Sequence, residues 1–305
     1  MSADGTAVRL GTRASALARF QTDLVARLLT ERTGVTCRTV VISTAGDEDT
    51  GTPLPEIGGK GVFTEALERA LRSGEIDAAV HSLKDVPVEE PEGLCLAALG
   101  SREDPRDVLI AREAWTLATL PRGATVGTCS TRRSAQLLAA RPDLVMAPLR
   151  GNVDTRVGKA LRGDYDAIVI AAAGVLRLGL GTAIRAFLPL DVVVPAPGQG
   201  ALAVECRADD ARVRGLLAHL DEPPVRAAVT AERAFLEGMG GGCTAPIAAT
   251  ATAKNGRVAL RGLVASLDGT HKVLVGRDAA TADARALGLA LAEEAVGAGA
   301  MALLA

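Results

Sequence analysis

The stretch VRLGTRASALARFQTDLVARLLTERTGVTCRTVVIS, from Val8 to Ser43, indicates the fold class of this chain. Two β-rich apolar runs flank a helical pattern that begins after Ser15, a preferred N-cap residue, and stops at Gly34. Four apolar residues recur in it at the spacing of one helix face: Leu17, Phe20, Leu24 and Leu28. A strand, a helix and a second strand in this order predict a βαβ unit of an α/β protein.

The same alternation continues along the chain. A helical pattern near Thr64 to Arg72 precedes the apolar runs IDAAVHSL and LCLAAL, and a second series of strands and helices follows the polar stretch SREDPRD, Ser101 to Asp107. The segment VVVPAPGQGALAVECR, Val192 to Arg207, carries prolines and glycines at its start and predicts a return of the chain to the first domain.

We therefore expect an α/β fold with two α/β domains, an active-site cleft between them and a small C-terminal α+β domain. The predicted boundaries are 1–100 with 201–219 for the first domain, 105–195 for the second and 222–305 for the third. Ligands usually bind at the carboxyl ends of parallel strands, which would face the cleft. The third domain is predicted from a helix, a glycine-rich segment and alternating strands with turns at Asn255-Gly256 and Asp268-Gly269.

The composition excludes several classes of protein. The chain has 305 residues, is 48% hydrophobic and carries a net charge of −2, with one Trp, one Tyr and four Phe. This profile is globular, and it argues against a nucleic-acid binder. The start, MSADGTAVRLGTRAS, lacks the apolar stretch of a secretory signal, and no apolar run is long enough to span a bilayer. We expect a soluble cytoplasmic protein.

The cysteines do not predict a disulfide framework or a metal site. There are five of them, an odd number without a CxxC pair, and the chain has three histidines. One of the five, Cys243, stands alone in GGGCTAP, where an open backbone would leave its sulfur accessible. Most single cysteines are inert and buried, so a reactive thiol is the less common alternative.

Six arginines fall at or just after the ends of predicted strands, the edge that would face the cleft. They are Arg13, Arg132, Arg133, Arg150, Arg156 and Arg177. Forked guanidinium groups suit carboxylates, so together they predict a ligand with several carboxylates.

The motif GTCSTRRS, Gly127 to Ser134, predicts an anion site at a helix start. The hydroxyls of Thr128, Ser130 and Thr131 lie beside two of these arginines, where backbone N–H groups and the helix dipole also attract anions. An ordinary Ser or Thr cap followed by solvated arginines remains an alternative.

The segment IDAAVHSLKDVP, Ile76 to Pro87, ends a predicted strand in polar residues, among them Lys84 and Asp85. If it faces the arginine-rich cleft, Asp85 would be an anion in a positive field, available to hold ligand N–H groups or a developing cation. A plain surface turn is the alternative. GGKG, Gly58 to Gly61, lacks the spacing of a phosphate-binding loop and predicts a mobile flap instead, with an ordinary surface loop as the alternative.

Ten motifs, in order along the chain, together resemble the porphobilinogen deaminase (hydroxymethylbilane synthase) family. They are GTRAS, GGKGVFTEALE, DAAVHSLKDVP, EDPRD, GTCSTRRSAQL, LRGNVDTR, YDAIVIAAAGVLRLG, PAPGQGALAVECR, TAERAFL and GGCTAPI. The resemblance implies that the first two domains are similar to type II periplasmic binding proteins. It also implies a dipyrromethane cofactor held by a thioether to Cys243, and a monomer.

The activity implied by the resemblance is the head-to-tail joining of four porphobilinogen molecules, with loss of ammonia, into hydroxymethylbilane. Asp85 matches the catalytic carboxylate. The expected cofactor-binding residues combine the matches to the family with the predicted anion site. They are Cys243, Lys84, Asp85, Thr128, Ser130, Arg132 and Arg133. Matches to the residues that serve substrate and growing chain are Arg13, Ser15, Arg150, Arg156 and Arg177.

Three residues depart from the family pattern: Glu56 replaces a common lysine, and Cys129 and Thr131 replace the more familiar Ser and Leu. Because Ser130 and both following arginines are present, we expect the anion site to be retained. Two other functions remain open. One is a non-catalytic module that binds small carboxylates, and the other is a Schiff-base enzyme that uses Lys84 and pyridoxal phosphate.

Overall fold

The computed structural model describes residues 7–43, 64–241 and 245–304. Two compact units are distinguished by their internal contacts: Met1–Arg102 with Ala201–Arg226, and Glu103–Gly200 with Ala227–Ala305. The predicted division into three domains, 1–100 with 201–219, 105–195 and 222–305, stays a prediction. The predicted flap at 58–61, Glu56 and Cys243 lie outside the described residues.

Thirteen strands and eight α-helices are found in the described part of the chain. The strands are β1 Val8–Thr12, β2 Cys37–Val41, β3 Ala78–Ser82, β4 Leu94–Gly100, β5 Asp107–Ile110, β6 Thr125–Gly127, β7 Val145–Ala147, β8 Ala167–Ala171, β9 Ile184–Phe187, β10 Leu202–Arg207, β11 Ile247–Lys254, β12 Arg257–Ala265 and β13 Lys272–Ala280. The helices are α1 Ala16–Thr33, α2 Glu65–Arg72, α3 Thr131–Ala140, α4 Val153–Arg162, α5 Ala172–Arg177, α6 Ala211–Leu217, α7 Pro223–Gly238 and α8 Ala284–Gly297.

Helix α1 has the ends that its sequence predicts, and its buried face is shifted by one position from the predicted apolar stripe. The Ser15 hydroxyl accepts a hydrogen bond from the Ala18 backbone N–H, and Gly34 ends the helix in the left-handed conformation with φ of 74°. The buried side chains are Gln21, Thr22, Val25 and Leu29. Leu24 and Leu28 are half-buried and pack against the core, whereas Phe20 is 41% exposed, so the predicted apolar stripe lies at the margin of the buried face.

The first unit contains a five-stranded sheet in the order β2-β1-β3-β10-β4. Strand β1 pairs in parallel with β2 and β3, whereas β10 runs antiparallel between β3 and β4. The chain thus returns to this sheet after residue 200, as VVVPAPGQGALAVECR predicts. Helices α1 and α6 cover an apolar layer that includes Leu10, Leu29, Val204 and Leu217.

The second unit contains a sheet of the same topology, in the order β7-β6-β8-β5-β9. Strand β6 is parallel to β7 and β8, and β5 is the antiparallel strand beside β8 and β9. In both sheets the antiparallel strand immediately follows a segment that leads out of the other sheet. The carboxyl ends of β6, β7 and β8 meet at one edge, where loops commonly bind ligands.

The C-terminal part of the second unit is a three-stranded antiparallel sheet, β11-β12-β13, packed against α7 and α8. Asn255 and Gly256 form the first hairpin turn with φ of 52° and 74°. The fully buried Phe235 ring of α7 lies where a side chain at Gly262 would project, because an added Cβ there would come within 2.5 Å of the ring. The predicted fold class, two α/β sheets and a small α+β region, is confirmed.

The three-stranded sheet also packs on α3. Ala248, Leu263 and Ala265 form an apolar cluster with Ala135 of α3 and with Val194. This contact supports α3, the helix that begins within GTCSTRRS. Within the residues that the structure describes, no helix has both the length and the apolar character needed to cross a membrane.

Candidate anion-binding site

Four predicted site residues lie in the first unit, after two neighbouring parallel strands. Arg13 and Ser15 follow β1, and Ser15 caps α1. Lys84 and Asp85 lie in a 3₁₀ turn that follows β3. Because β1 and β3 are parallel neighbours, both segments leave the same edge of the sheet. Lys84 is half-buried and Asp85 is exposed.

Side chains that the sequence interpretation did not identify hold the turn that carries Asp85. The buried Gln21 donates a hydrogen bond of 2.9 Å to the Ser82 hydroxyl. Nε2 of His81 lies 3.2 Å from a carboxylate oxygen of Glu205, and both side chains are buried. The end of β3, from which the turn with Asp85 starts, is thereby held from α1 and from β10.

In the second unit, Thr128 and Ser130 shape the start of α3. Ser130 is the N-cap, and its hydroxyl accepts a hydrogen bond from the Arg133 backbone N–H. The Thr128 hydroxyl accepts one of 3.3 Å from the Ser130 backbone N–H. This is the geometry that GTCSTRRS predicts, a hydroxyl-capped helix start next to a strand end.

The two arginines after this cap are not solvated. Arg132 is 4% exposed and Arg133 is 6% exposed. Both contact Asp107, which is completely buried: one carboxylate oxygen lies 2.9 Å from Nη1 of Arg132, and the other lies 2.8 Å from Nη2 of Arg133. The alternative of two surface arginines beside an ordinary cap does not agree with this geometry.

Burial alone would raise the pKa of the Asp107 carboxyl group. The charges and hydrogen bonds of Arg132 and Arg133 outweigh that effect and hold its pKa far below the usual range. Asp107 is therefore an anion in the folded protein. Sequence interpretation gave it no role, although it ends the EDPRD motif.

Arg150 and Arg156 extend the positive region from β7 and α4. Arg150 follows β7 and is half-buried, and Nε of Arg156 donates a hydrogen bond of 2.6 Å to the Gly151 carbonyl. Desolvation lowers the pKa of Arg156, and repulsion from the charges of Arg133 and Arg150 lowers it further. The charge and hydrogen bond of Cys129 act in the opposite direction. Arg133 and Arg150 thus lie close enough to Arg156 for their charges to act on it, and the exposed thiol of Cys129 interacts with Arg156 as well.

Arg177 lies at the end of α5, after β8, and is 8% exposed. Its Nη2 donates a hydrogen bond of 2.7 Å to the carbonyl of Gly200. Desolvation lowers its pKa, and the charge of Glu103 acts in the opposite direction. The side chain is thus bound to the segment through which the chain leaves the second sheet.

Solved structures with limited similarity include a periplasmic substrate-binding protein of an ABC transporter from Coxiella burnetii. It is 17% identical with a TM-score of 0.46, covering 72% of this chain and 94% of that one. A nutrient binding protein from Burkholderia cenocepacia bound to methionine is 17% identical with a TM-score of 0.44, covering 71% of this chain and 92% of that one.

Three curated relatives match nearly the whole chain, and each is named porphobilinogen deaminase. The protein of Roseiflexus castenholzii is 50% identical, covering 97% of this chain and 98% of its own. That of Moorella thermoacetica is 48% identical, covering 96% and 94%. That of Geobacter sulfurreducens is 46% identical, covering 94% and 90%.

Two family models match consecutive parts of the sequence. The model described as porphobilinogen deaminase, dipyromethane cofactor binding domain, matches residues 8–215. The model described as porphobilinogen deaminase, C-terminal domain, matches residues 226–297. With relatives at about half identity over almost its full length, this chain belongs to the porphobilinogen deaminase family.

Proposed function

We propose that this chain joins four porphobilinogen molecules head to tail into hydroxymethylbilane, with loss of ammonia, on a dipyrromethane bound to Cys243. The observation that supports this most strongly is the concentration of guanidinium groups at the start of α3, in a chain of this family. The charges of Arg133 and Arg150 act on Arg156 there, and Ser130 caps the helix. Such a site suits a ligand that brings two carboxylates with every ring.

The residues present fit the cofactor. Dipyrromethane carries acetate and propionate groups, which need charged or N–H donors in a partly dry site. Nε of Arg133 is buried and has no hydrogen-bond partner among the described residues, which leaves a donor available for an acidic ligand. The residues proposed to hold the cofactor are Cys243, Lys84, Asp85, Thr128, Ser130, Arg132 and Arg133. When bound, dipyrromethane supplies the free pyrrole position to which the first substrate ring is joined.

Asp85 is the proposed catalytic residue. Loss of ammonia leaves an electron-poor carbon on the incoming porphobilinogen, and ring joining then produces a cationic pyrrole that must lose a proton. A carboxylate in the turn after β3 can stabilise that charge and accept the proton. The contacts of Gln21 with Ser82 and of His81 with Glu205 fix the segment that carries it.

The other arginines are proposed to bind the substrate and the growing chain. They are Arg13, Arg150, Arg156 and Arg177, with Ser15 beside Arg13. Each follows the carboxyl end of a parallel strand, where a side chain can reach a ligand beyond the sheet edge. As the product lengthens, its carboxylates multiply, and this requires more than one guanidinium. We also propose that the protein acts as a monomer in the cytoplasm.

The test is the intact mass of the denatured protein before and after addition of porphobilinogen, with peptide mapping of the modified residue. We expect an adduct of two linked pyrrole units on Cys243 and none in a Cys243→Ser variant. Cys37→Ser, at a half-buried position in β2, serves as the matched control and should keep the adduct.

A non-catalytic carboxylate-binding module would give no adduct in either variant. Turnover of porphobilinogen by Cys243→Ser with a full covalent adduct elsewhere would contradict the assignment of the cysteine. Replacement of Arg132 or Arg133 by Leu should impair cofactor assembly, because either change removes a charge from the α3 site.

A further inference from the structure

A single buried carboxylate organises the two arginines at the start of α3. Asp107 is the first residue of β5, the antiparallel strand of the second sheet, and it is completely buried. Its two oxygens are divided between the arginines, with Oδ2 at 2.9 Å from Arg132 and Oδ1 at 2.8 Å from Arg133. Oδ1 accepts a hydrogen bond from Arg133, whereas Oδ2 is held by the charge of Arg132 without a hydrogen bond among the described residues.

The charge of Asp107 explains how two adjacent guanidiniums can be buried. Each is removed from water at a cost, and the two repel one another. One carboxylate between them leaves the trio with a net charge of +1. Arg132 also donates a hydrogen bond of 2.6 Å to the Val194 carbonyl. Arg132 is thus largely committed to contacts within the protein.

Gln199 completes the arrangement from the segment before β10. Its side chain is completely buried, and its Nε2 donates to Oδ1 of Asp107 at 2.9 Å and to the Pro105 carbonyl at 2.6 Å. Its Oε1 accepts a hydrogen bond of 3.4 Å from Arg133. The amide therefore limits rotation of the carboxylate and of the Arg133 side chain.

These contacts hold Arg133 by one end and leave the other end available. Nη2 is used by Asp107 and Gln199, whereas the buried Nε has no hydrogen-bond partner in the part of the chain that the structure describes. Because a planar guanidinium is rigid, fixing Nη2 also fixes the direction of Nε. Preorganised donors bind anions better than mobile ones.

We infer that Asp107 is a positioning residue: it keeps Arg132 and Arg133 buried and oriented for the cofactor carboxylates without touching the cofactor itself. The inference rests on the proposed function, since it takes dipyrromethane carboxylates as the ligand. It adds Asp107 to the proposed cofactor site, as a residue that acts through Arg132 and Arg133.

Asp107→Ala tests the inference because it removes a carboxylate about the size of formate from between two buried charges. The cofactor-free full-length chain is mixed with porphobilinogen, and adduct formation is followed by intact mass. We expect loading to slow on the order of 10- to 100-fold, as for other displaced positioning groups. Sodium formate should restore much of the rate, and sodium chloride at equal ionic strength should not.

Gln136→Ala is the matched control. Gln136 is 3% exposed and, among the residues that the structure describes, bonds only to backbone groups, those of Arg132 and Val194. Its loss should lower the melting temperature as a buried hydrogen-bond deletion does, with loading little changed and no response to formate. Formate should also raise the melting temperature of Asp107→Ala more than that of the unaltered chain.

The inference would be overturned if Asp107→Ala acquired the adduct at the wild-type rate. It would also be overturned if loading were slow and formate changed neither the loading rate nor the melting temperature. If Asp107→Ala does not fold, Asp107→Asn keeps the shape without the charge, and loading at the wild-type rate would overturn it equally. Absence of an adduct in the unaltered chain would instead contradict the proposed function. The formate shift in melting would then still test how Asp107 holds the arginines.

Discussion

At the scale of single residues, Asp85 gives the most direct prediction. It is exposed in the turn that follows β3, so its removal deletes little packing. We expect Asp85→Ala to change the free energy of unfolding by less than about 0.5 kcal/mol. Turnover of porphobilinogen should fall about 100-fold or more, as for loss of a general acid–base group. Steady-state product formation and a thermal melt on the same preparation measure both.

Glu113→Ala is a suitable control for that experiment, since Glu113 is another exposed carboxylate, with 58% of its side chain accessible. It should leave turnover and melting unchanged. Near-normal product formation by Asp85→Ala would remove Asp85 from the mechanism, and a large drop in its melting temperature would mean that the residue has a structural role.

The arginines show how far residue-level prediction reaches. The cap at Ser130 and the arginines after it can be predicted, because a cap is a local pattern of neighbouring residues. Asp107 could not be predicted as their partner. It precedes Arg133 by 26 positions and meets it only because β5 lies in the same sheet as β6 and β8.

At the scale of elements, Asp77 joins three strands of the first sheet, and its contribution should depend on pH. Its carboxylate binds the backbone N–H and guanidinium of Arg9 in β1 and lies near Arg207 in β10. Desolvation would raise its pKa, but the bonds and charge of Arg9 outweigh this and keep the pKa below its ordinary value. A carboxyl group whose pKa is lower in the folded than in the unfolded state stabilises the fold at pH values above its unfolded-state pKa. That stabilisation is lost as the pH falls through the folded-state pKa.

Asp77→Asn should therefore unfold more easily than the unaltered chain near neutral pH, by about 1–2 kcal/mol. Arg9 is 42% exposed, so solvent screening keeps the value modest. The difference should narrow as the pH falls below about 4, where the unfolded-state carboxyl takes up its proton. Urea midpoints measured at neutral and acidic pH test this, and an equal difference at both would contradict it.

Two glycines of α8 give a matched pair at the same scale. A Cβ at Gly288 would meet the Ala231 carbonyl and come within 2.6 Å of the Ala234 Cβ, whereas one at Gly297 would meet nothing within 4 Å. We expect Gly288→Ala to destabilise the α7–α8 packing by about 1–3 kcal/mol. Gly297→Ala should be neutral or stabilising by up to about 1 kcal/mol. Equal melting temperatures would show that α8 shifts without cost.

Element ends were more predictable than element faces. Ser15 and Gly34 mark α1 correctly because caps follow backbone rules within a few residues. The buried side of α1 carries Gln21 and Thr22 and leaves Phe20 exposed. Gln21 is drawn inward by its hydrogen bond to Ser82, a contact with a distant strand that hydrophobic spacing does not encode.

At the scale of the whole molecule, the alternation of strands and helices predicts two α/β sheets and a returning segment. It does not predict which strands become neighbours. Strand β10 enters between β3 and β4, where Ala203 pairs with His81, and β5 takes the same place in the second sheet. These are pairings between distant positions, and their direction depends on the crossing segments, not on the composition of the strands themselves.

Glu232 of α7 ties one such segment to the C-terminal sheet. Its fully buried carboxylate accepts hydrogen bonds from the backbone N–H groups of Gly198, at 2.7 Å, and of Ala251 in β11, at 2.6 Å. Glu232→Gln offers one acceptor oxygen in place of two, so we expect it to cost about 1–3 kcal/mol and to speed amide exchange at both positions. Glu237→Gln, where the carboxylate pairs with Arg285 and is 43% exposed, should change stability by less than about 0.5 kcal/mol. Melting temperatures and hydrogen exchange separate the two, and unchanged exchange at Gly198 and Ala251 would mean that α7 does not hold the crossing segment.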